Sequence, residues 1–378
     1  MFTEVGTLLF YIAILVICMA FLRQYERNKK HRFWLWLSYF VILLISIIRY
    51  DIGNDYDGYV DLIDDVSKSS RSGNGLFELI IDYLWADVAI VVLSWVCAWL
   101  RHPFLGVYFL FSIINTLLLY KVCERYDIHK LGVFFFFISG YLFITWDGAR
   151  QGCAIMVFLY SLRFIENQSV FKYLICVIIA ALFHKSSLFL LPCYYLQFFR
   201  LYNWIYLLLA SLFLLIYWSG MMDSIQTQSL DLLSYTGEYY SKYSNPDISS
   251  SEGIASTTYK LRITIKTVFW TIWLVLLPEK NTYLKNMIII GVLFTILSNG
   301  SLTLLRVGWY FLAVCIIAMP LALRLSNRYV KIIIMTSLFM LLFLFCWDTY
   351  NKHNNGCTPY ETIFSSNFEK GRFRADNW

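Results

Sequence analysis

Five cations stand at the edges of long apolar runs: Arg49, Arg150, His184, Lys185 and Arg306. A charge at the rim of the hydrocarbon is costly unless an anion meets it, so these positions need an explanation. A single arginine there is a snorkelling anchor. Several on one face instead form a site for a polyanion such as a pyrophosphate, because the planar guanidinium donates bidentately and stays charged. His184, followed by Lys185, Ser186 and Ser187, is either a hydrogen-bonded structural residue or a general base or phosphate donor. Asp147-Gly-Ala-Arg150-Gln-Gly152 reads as a helix start. Asp147 is placed to cap it, Gly148 and Gly152 form a small-xxx-small packing face, and Arg150 at a helix N-terminus favours an anion. Asp55-Tyr56-Asp57 is a DxD tripeptide in an Asp-rich stretch. Such a pair can hold a divalent metal against a sugar-donor phosphate, but chance produces it easily in that composition.

These residues are positioned by a membrane scaffold. Of 378 residues, 59% are hydrophobic and only 15% charged, and the mean hydropathy is +0.60. A soluble chain is about a quarter charged, so the composition defines a polytopic, all-α membrane protein of one domain. No cleavable signal peptide is evident. The net charge of +6 is no nucleic-acid signal, because the basic residues lie in short turns between spans. The nine cysteines have no metal spacing and fall mostly in apolar runs, where they act as small hydrophobes. No P-loop, HExxH, GxSxG or dinucleotide fingerprint is present.

The basic turn after the first span (residues 5–22) carries five Lys/Arg against one Glu and marks the cytoplasmic face. Residues 33–48 return outward and deliver Arg49 to an external loop, 49–103, whose first half has six Asp against three Lys/Arg. Within that loop residues 77–100 are apolar but interrupted by Glu78, Asp82 and Asp87, which predicts an interfacial or re-entrant helix. Spans follow at 103–122 and 131–146. An out-and-back hairpin over 145–188 then returns Arg150 and His184 to one face. Further spans run over 184–199, with Pro192 a kink, and over 204–218, 261–277, 287–297, 306–323 and 332–347. The reading is about twelve spans, external segments at 49–103, 219–260 and 348–378, and all five suspect cations outside. Tyr50, Tyr56, Tyr59, Tyr235, Tyr239, Tyr240, Tyr243 and Tyr360 then lie externally, as an interfacial belt or as sugar-stacking rings. There is no inverted repeat of the kind transporters carry.

At this point the chain resembles a known family. R49YDIGNDYDGY resembles the "R…IGxDY…Y" signature of EpsG-type, Wzy-like polysaccharide polymerases, with Asn54 where the family more often has Thr. D147GARQG resembles their "RQ" span start, F183HKSSLFLLP their "HxSxxxxLP" segment, L305RVGWYF their later Arg-containing helix, and C357TPYETIF their "PY" tail. The blocks occur in family order along the whole chain.

The resemblance implies a GT-C-like enzyme of the bacterial inner membrane with its active site facing the periplasm. It would transfer a growing glycan from undecaprenyl pyrophosphate to a sugar hydroxyl of a lipid-linked repeat unit, in O-antigen or exopolysaccharide synthesis. Arg150 and Arg306 would then neutralise the pyrophosphate, and His184 would act as general base or phosphate donor. Arg49, Asp55, Tyr56, Lys185, Tyr310 and Tyr360 would order loop and substrate. No metal or other cofactor is required. The partners implied are undecaprenyl-pyrophosphate-linked oligosaccharides, the bilayer, a chain-length regulator and a flippase, with no nucleic acid. Alternatives are an O-antigen ligase or polyprenyl-phosphate-sugar-dependent glycosyltransferase, in which the DxD would bind metal, and thirdly a lipid-oligosaccharide flippase or transporter.

Overall fold

In lipid a backbone must satisfy its own hydrogen bonds, and every regular element among the described residues is helical. The computed structural model describes residues 3–221, 257–298, 302–325, 328–351 and 356–364. Tyr235, Tyr239, Tyr240 and Tyr243 lie outside the described residues. Among those described, sixteen α-helices and two 3₁₀ helices follow one another. Four segments are long and apolar enough to cross a bilayer: Glu4–Arg27, Pro103–Tyr126, Leu304–Arg324 and Ile332–Tyr350. A bent pair, His129–Ile138 with Tyr141–Asp147, makes a fifth if counted as one span. Against the twelve or so expected, the other apolar helices are shorter, at 10–17 residues.

The chain divides into two compact units, one running to Leu188 and resuming at Leu338, the other Phe189–Ser337. The first holds α1 (Glu4–Arg27), α2 (Phe33–Ile47), α3 (Tyr56–Arg71), α4 (Leu76–Asp82), α5 (Val88–Cys97), α6 (Pro103–Tyr126), α7 (His129–Ile138), α8 (Tyr141–Asp147), α9 (Ala149–Glu166) and α10 (Val170–Phe183). At its centre α9 is buried on nearly every side, packed on α6, α8 and α10. A helix apolar all round belongs in such a position. The α9–α10 hairpin is the out-and-back pair that the sequence predicts. At its turn end the ion pairs Lys29–Asp127, Lys130–Glu26, Arg125–Glu166 and Arg32–Glu124 join the α1–α2, α6–α7 and α9–α10 connections.

Within the first unit three segments differ from expectation. The span at 131–146 is not continuous: α7 and α8 meet at 62°. Gly140, at φ +79°, ends α7 in the left-handed region that glycine enters freely. The acidic loop is not irregular. Its first half forms α3, which buries Tyr59, Ile63, Val66 and Ser70 at helical spacing and leaves Asp61 and Asp65 outside. Residues 77–100 form two short helices rather than one. The ten residues of α5 reach about 15 Å, half the hydrocarbon thickness, so they do not cross it.

The chain leaves the first unit through a 3₁₀ helix, Lys185–Phe198, with Pro192 inside it, where an α-helical span was expected. The second unit contains α11 (Asn203–Trp218), α12 (Thr257–Leu276), α13 (Thr282–Ser298), α14 (Leu302–Ala313) and α15 (Cys315–Leu325). Gly291 lets α13 close on α14, since a Cβ there would stand 2.8 Å from Leu312 Cγ. Buried Asn286 donates to Leu196 O and Phe199 O (2.8 and 2.7 Å) and accepts from the Tyr206 hydroxyl (2.6 Å). It thereby satisfies carbonyls orphaned at the end of the 3₁₀ helix. The last helix, α16 (Arg328–Tyr350), returns the chain to the first unit.

Candidate functional site

The site is built around a residue that sequence reasoning passed over. Asp87 sits at the N-cap position of α5, at the elbow between α4 and α5, and its side chain is only 6% exposed. Its Oδ2 receives both Arg150 Nη1 (2.9 Å) and His184 Nδ1 (3.1 Å). Its Oδ1 accepts the Lys185 backbone N–H at 3.1 Å. The Lys185 ammonium donates to Leu84 O (2.6 Å) and fastens the segment after α10 to the same elbow. Burial pushes the Asp87 carboxyl up, but the His184 hydrogen bond and the Arg150 charge outweigh it and hold it below the usual carboxylate range. Arg150, on the first turn of α9, also lies over the Tyr59 ring, 4.9 Å from its centroid. Arg150 and His184 each keep 22% side-chain exposure, so a ligand can reach both while the carboxylate stays covered.

This places Arg150, His184 and Lys185 together at one end of the α9–α10 hairpin. Asp147 does not cap α9. It is the last residue of α8, Gly148 occupies the cap position, and the Asp147 carboxylate accepts the Asp55 backbone N–H at 3.1 Å. Gly152 allows α9 to turn back against α8, because a Cβ there would be 2.7 Å from Thr145 Cα. Gly148 has ordinary room.

Other residues expected to order loop and substrate are buried in the first unit. Arg49 is 3% exposed and donates to Ser46 O at 2.7 Å. It lies over Tyr108 and Trp146, with centroids at 4.9 and 5.7 Å. The cavity beside it, also lined by Ser112 and Asn115, is ≈ 10 Å³. That is room for about one water, too little for a sugar or a phosphate. Tyr56 is buried in parallel stacking on Tyr108, and Tyr360 is buried with its hydroxyl donated to Ile45 O at 2.7 Å. The cover over these residues is the tail: residues 356–364 fold over the Arg49 loop. The contacts are Tyr50 N–Glu361 O (3.0 Å), Ile363 N–Ile48 O (2.9 Å) and Gly53 N–Gly356 O (3.2 Å). Arg306 and Tyr310 belong to α14 of the second unit, and Tyr310 is fully buried there. Among the described residues no three His, Cys, Asp or Glu side chains converge as a metal-ligand set.

An almost wholly helical chain with four or five membrane-length apolar segments, presenting an arginine and a histidine on one covered carboxylate, is a polytopic membrane protein with a part-exposed polar cluster. The model of the EpsG family matches residues 32–362, and the chain belongs to that family. Membership indicates a membrane protein of the polysaccharide-polymerase type. No curated protein and no solved structure matches the chain.

Proposed function

We propose that this protein polymerises lipid-linked oligosaccharide repeat units at the periplasmic face of a bacterial inner membrane. The observation that carries this reading is the Asp87 cluster, which holds Arg150 and His184 side by side with their outer faces accessible. In the proposed reaction a sugar hydroxyl of the incoming unit attacks the anomeric carbon of the growing glycan. The bond from that carbon to the pyrophosphate oxygen breaks, and the electron pair leaves on undecaprenyl pyrophosphate. Arg150 neutralises the charge that develops on this leaving group. The hydroxyl proton goes to His184. Because Nδ1 donates to Asp87, the lone pair is on Nε2, which is therefore the basic atom.

The assignment of Arg306 to the same anion rests on the sequence resemblance alone. So do a separate chain-length regulator and flippase as partners, and operation without a metal; the about twelve spans with external termini rest on the apolar runs and the basic turns.

The test is the length distribution of lipid-linked glycan in cells lacking the gene. Wild type should restore a ladder, and well-expressed Arg150→Ala only single units. A normal ladder from Arg150→Ala removes the central assignment. Full-length polymer that never reaches its final acceptor in the deletion strain makes the protein a ligase instead.

A further inference from the structure

We propose that Tyr59 is a positioning residue: its ring, lying against one face of the Arg150 guanidinium, fixes the plane in which that group meets a pyrophosphate. The proposal rests on the reading of this site as a pyrophosphate site and adds to it the residue that orients its arginine.

An arginine side chain turns about several bonds and recognises phosphate with a planar fork, so the direction of its plane matters as much as its charge. Asp87 meets Arg150 at one atom, Oδ2 to Nη1 at 2.9 Å. A single contact of that kind fixes where the nitrogen is and leaves the plane free to swing about it. The second constraint comes from α3. The Tyr59 ring centroid is 4.9 Å from Arg150 Cζ, inside the range in which an aromatic face attracts a guanidinium. The Tyr59 hydroxyl also accepts a hydrogen bond from the group. A contact at the edge and a contact at the face together define one orientation. A guanidinium has more N–H donors than these contacts use, and the side chain keeps 22% exposure. A pyrophosphate therefore takes the Nη hydrogens that remain, with the Asp87 and Tyr59 contacts both kept.

The ring is not free to follow the arginine. Tyr59 is only 5% exposed, and α3 packs on both α5 and α6. One turn earlier on the same helix, Tyr56 lies flat on Tyr108 of α6. Asp87 stands at the N-terminus of α5. The carboxylate and the ring that hold Arg150 thus come from two neighbouring helices of the folded loop between α2 and α6, while Arg150 itself comes from α9. The loop in this arrangement supplies both constraints on the arginine, and α9 supplies the charge.

Changing the electronics of the ring without changing its shape tests this, because a ring that merely fills space is indifferent to the change. The affinity for inorganic pyrophosphate would be measured by calorimetry on the full chain in detergent. The proteins compared are wild type, Tyr59→Phe, and a chain with pentafluorophenylalanine in place of Tyr59. Phenylalanine loses the hydroxyl and keeps the negative face; fluorination removes that face at nearly constant shape. Tyr59→Phe should bind within about twofold of wild type, and the fluorinated chain about fivefold more weakly than Tyr59→Phe, the size expected when a cation–π contact is lost. Equal affinities for Tyr59→Phe and the fluorinated chain, or tighter binding by the latter, overturn positioning through the ring face. Arg150→Gln separates that failure from failure of the underlying reading. Binding that Arg150→Gln abolishes leaves the pyrophosphate site standing whatever the ring at 59 does. Pyrophosphate that does not bind wild type, or that binds Arg150→Gln equally well, overturns the site reading and the proposal with it.

Discussion

At the residue scale the decisive group is Asp87. A buried carboxylate with three donors is stable only while the donors stay, and removing it strands Arg150 and His184 against a covered pocket. Asp87→Leu is therefore expected to cost about 3–5 kcal/mol, the usual loss when one partner of a buried ion pair goes, read as a lowered unfolding temperature in detergent. Asp87→Asn keeps the shape and a hydrogen-bond acceptor, and should cost less stability than Asp87→Leu while still abolishing polymer. The pH dependence has a definite sign. The Asp87 carboxyl is held below its ordinary value of 3.8, so its contribution is complete above that pH and is lost as pH falls through the lower folded value. Thermal unfolding of wild type between pH 5 and pH 3 should show an acid loss that Asp87→Asn lacks.

The same residue shows where sequence reading stopped. Arg150 and His184 could be placed together from spacing alone, since an out-and-back pair of equal arms returns its ends to one face. Their carboxylate could not, because it comes 97 positions before His184, from a segment whose path was ambiguous. A signal was present all the same. An aspartate at the head of an otherwise apolar run is costly at that depth, by the same argument that singled out the cations. Arg49 shows the limit from the other side. Charge and position marked it for a ligand, and only the packing shows Tyr108, Trp146 and the tail closed round it.

At the element scale, the loop between α2 and α6 is a folded layer, and its register depends on close backbone approach. Gly53 combines a φ of +108° with a position where a Cβ would stand 2.8 Å from Asp147 Cα. Gly73 has nearly the same φ, +107°, with nothing within 4 Å. Gly53→Ala and Gly73→Ala therefore share the backbone strain, about 1 kcal/mol, and differ in the clash. The expectation is that Gly53→Ala lowers the melting temperature clearly more than Gly73→Ala; equal effects would mean that the α8 end yields freely. Hydropathy alone could find the long apolar helices here but not this layer. The face of α3 that packs is made of Tyr, Ile, Val and Ser interleaved with aspartates, a stretch whose average composition reads as a solvated loop.

At the scale of the whole molecule, the tail and the first helix close on each other across the chain. The Tyr11 hydroxyl donates to Cys357 O at 2.5 Å, and the Tyr360 N–H to the Thr7 hydroxyl at 3.0 Å. The Tyr360 ring stacks on Phe10 at 4.6 Å. Ending the chain after Asn351 should leave α16 able to insert but uncover Arg49, Tyr11 and Trp146. Such a protein is expected to accumulate in the membrane, make no polymer and become sensitive to protease in the 49–55 region.

That closure also sets a clock. Tyr11 and Cys357 are 346 positions apart, so the loop carrying Arg49 waits for its cover until Cys357 has been translated. At about 5–20 residues per second the wait is tens of seconds. Throughout it the α1–α2 hairpin is already in the bilayer with its arginine uncovered. The nascent protein thus stays open around Arg49 until residues 356–364 arrive to close over it.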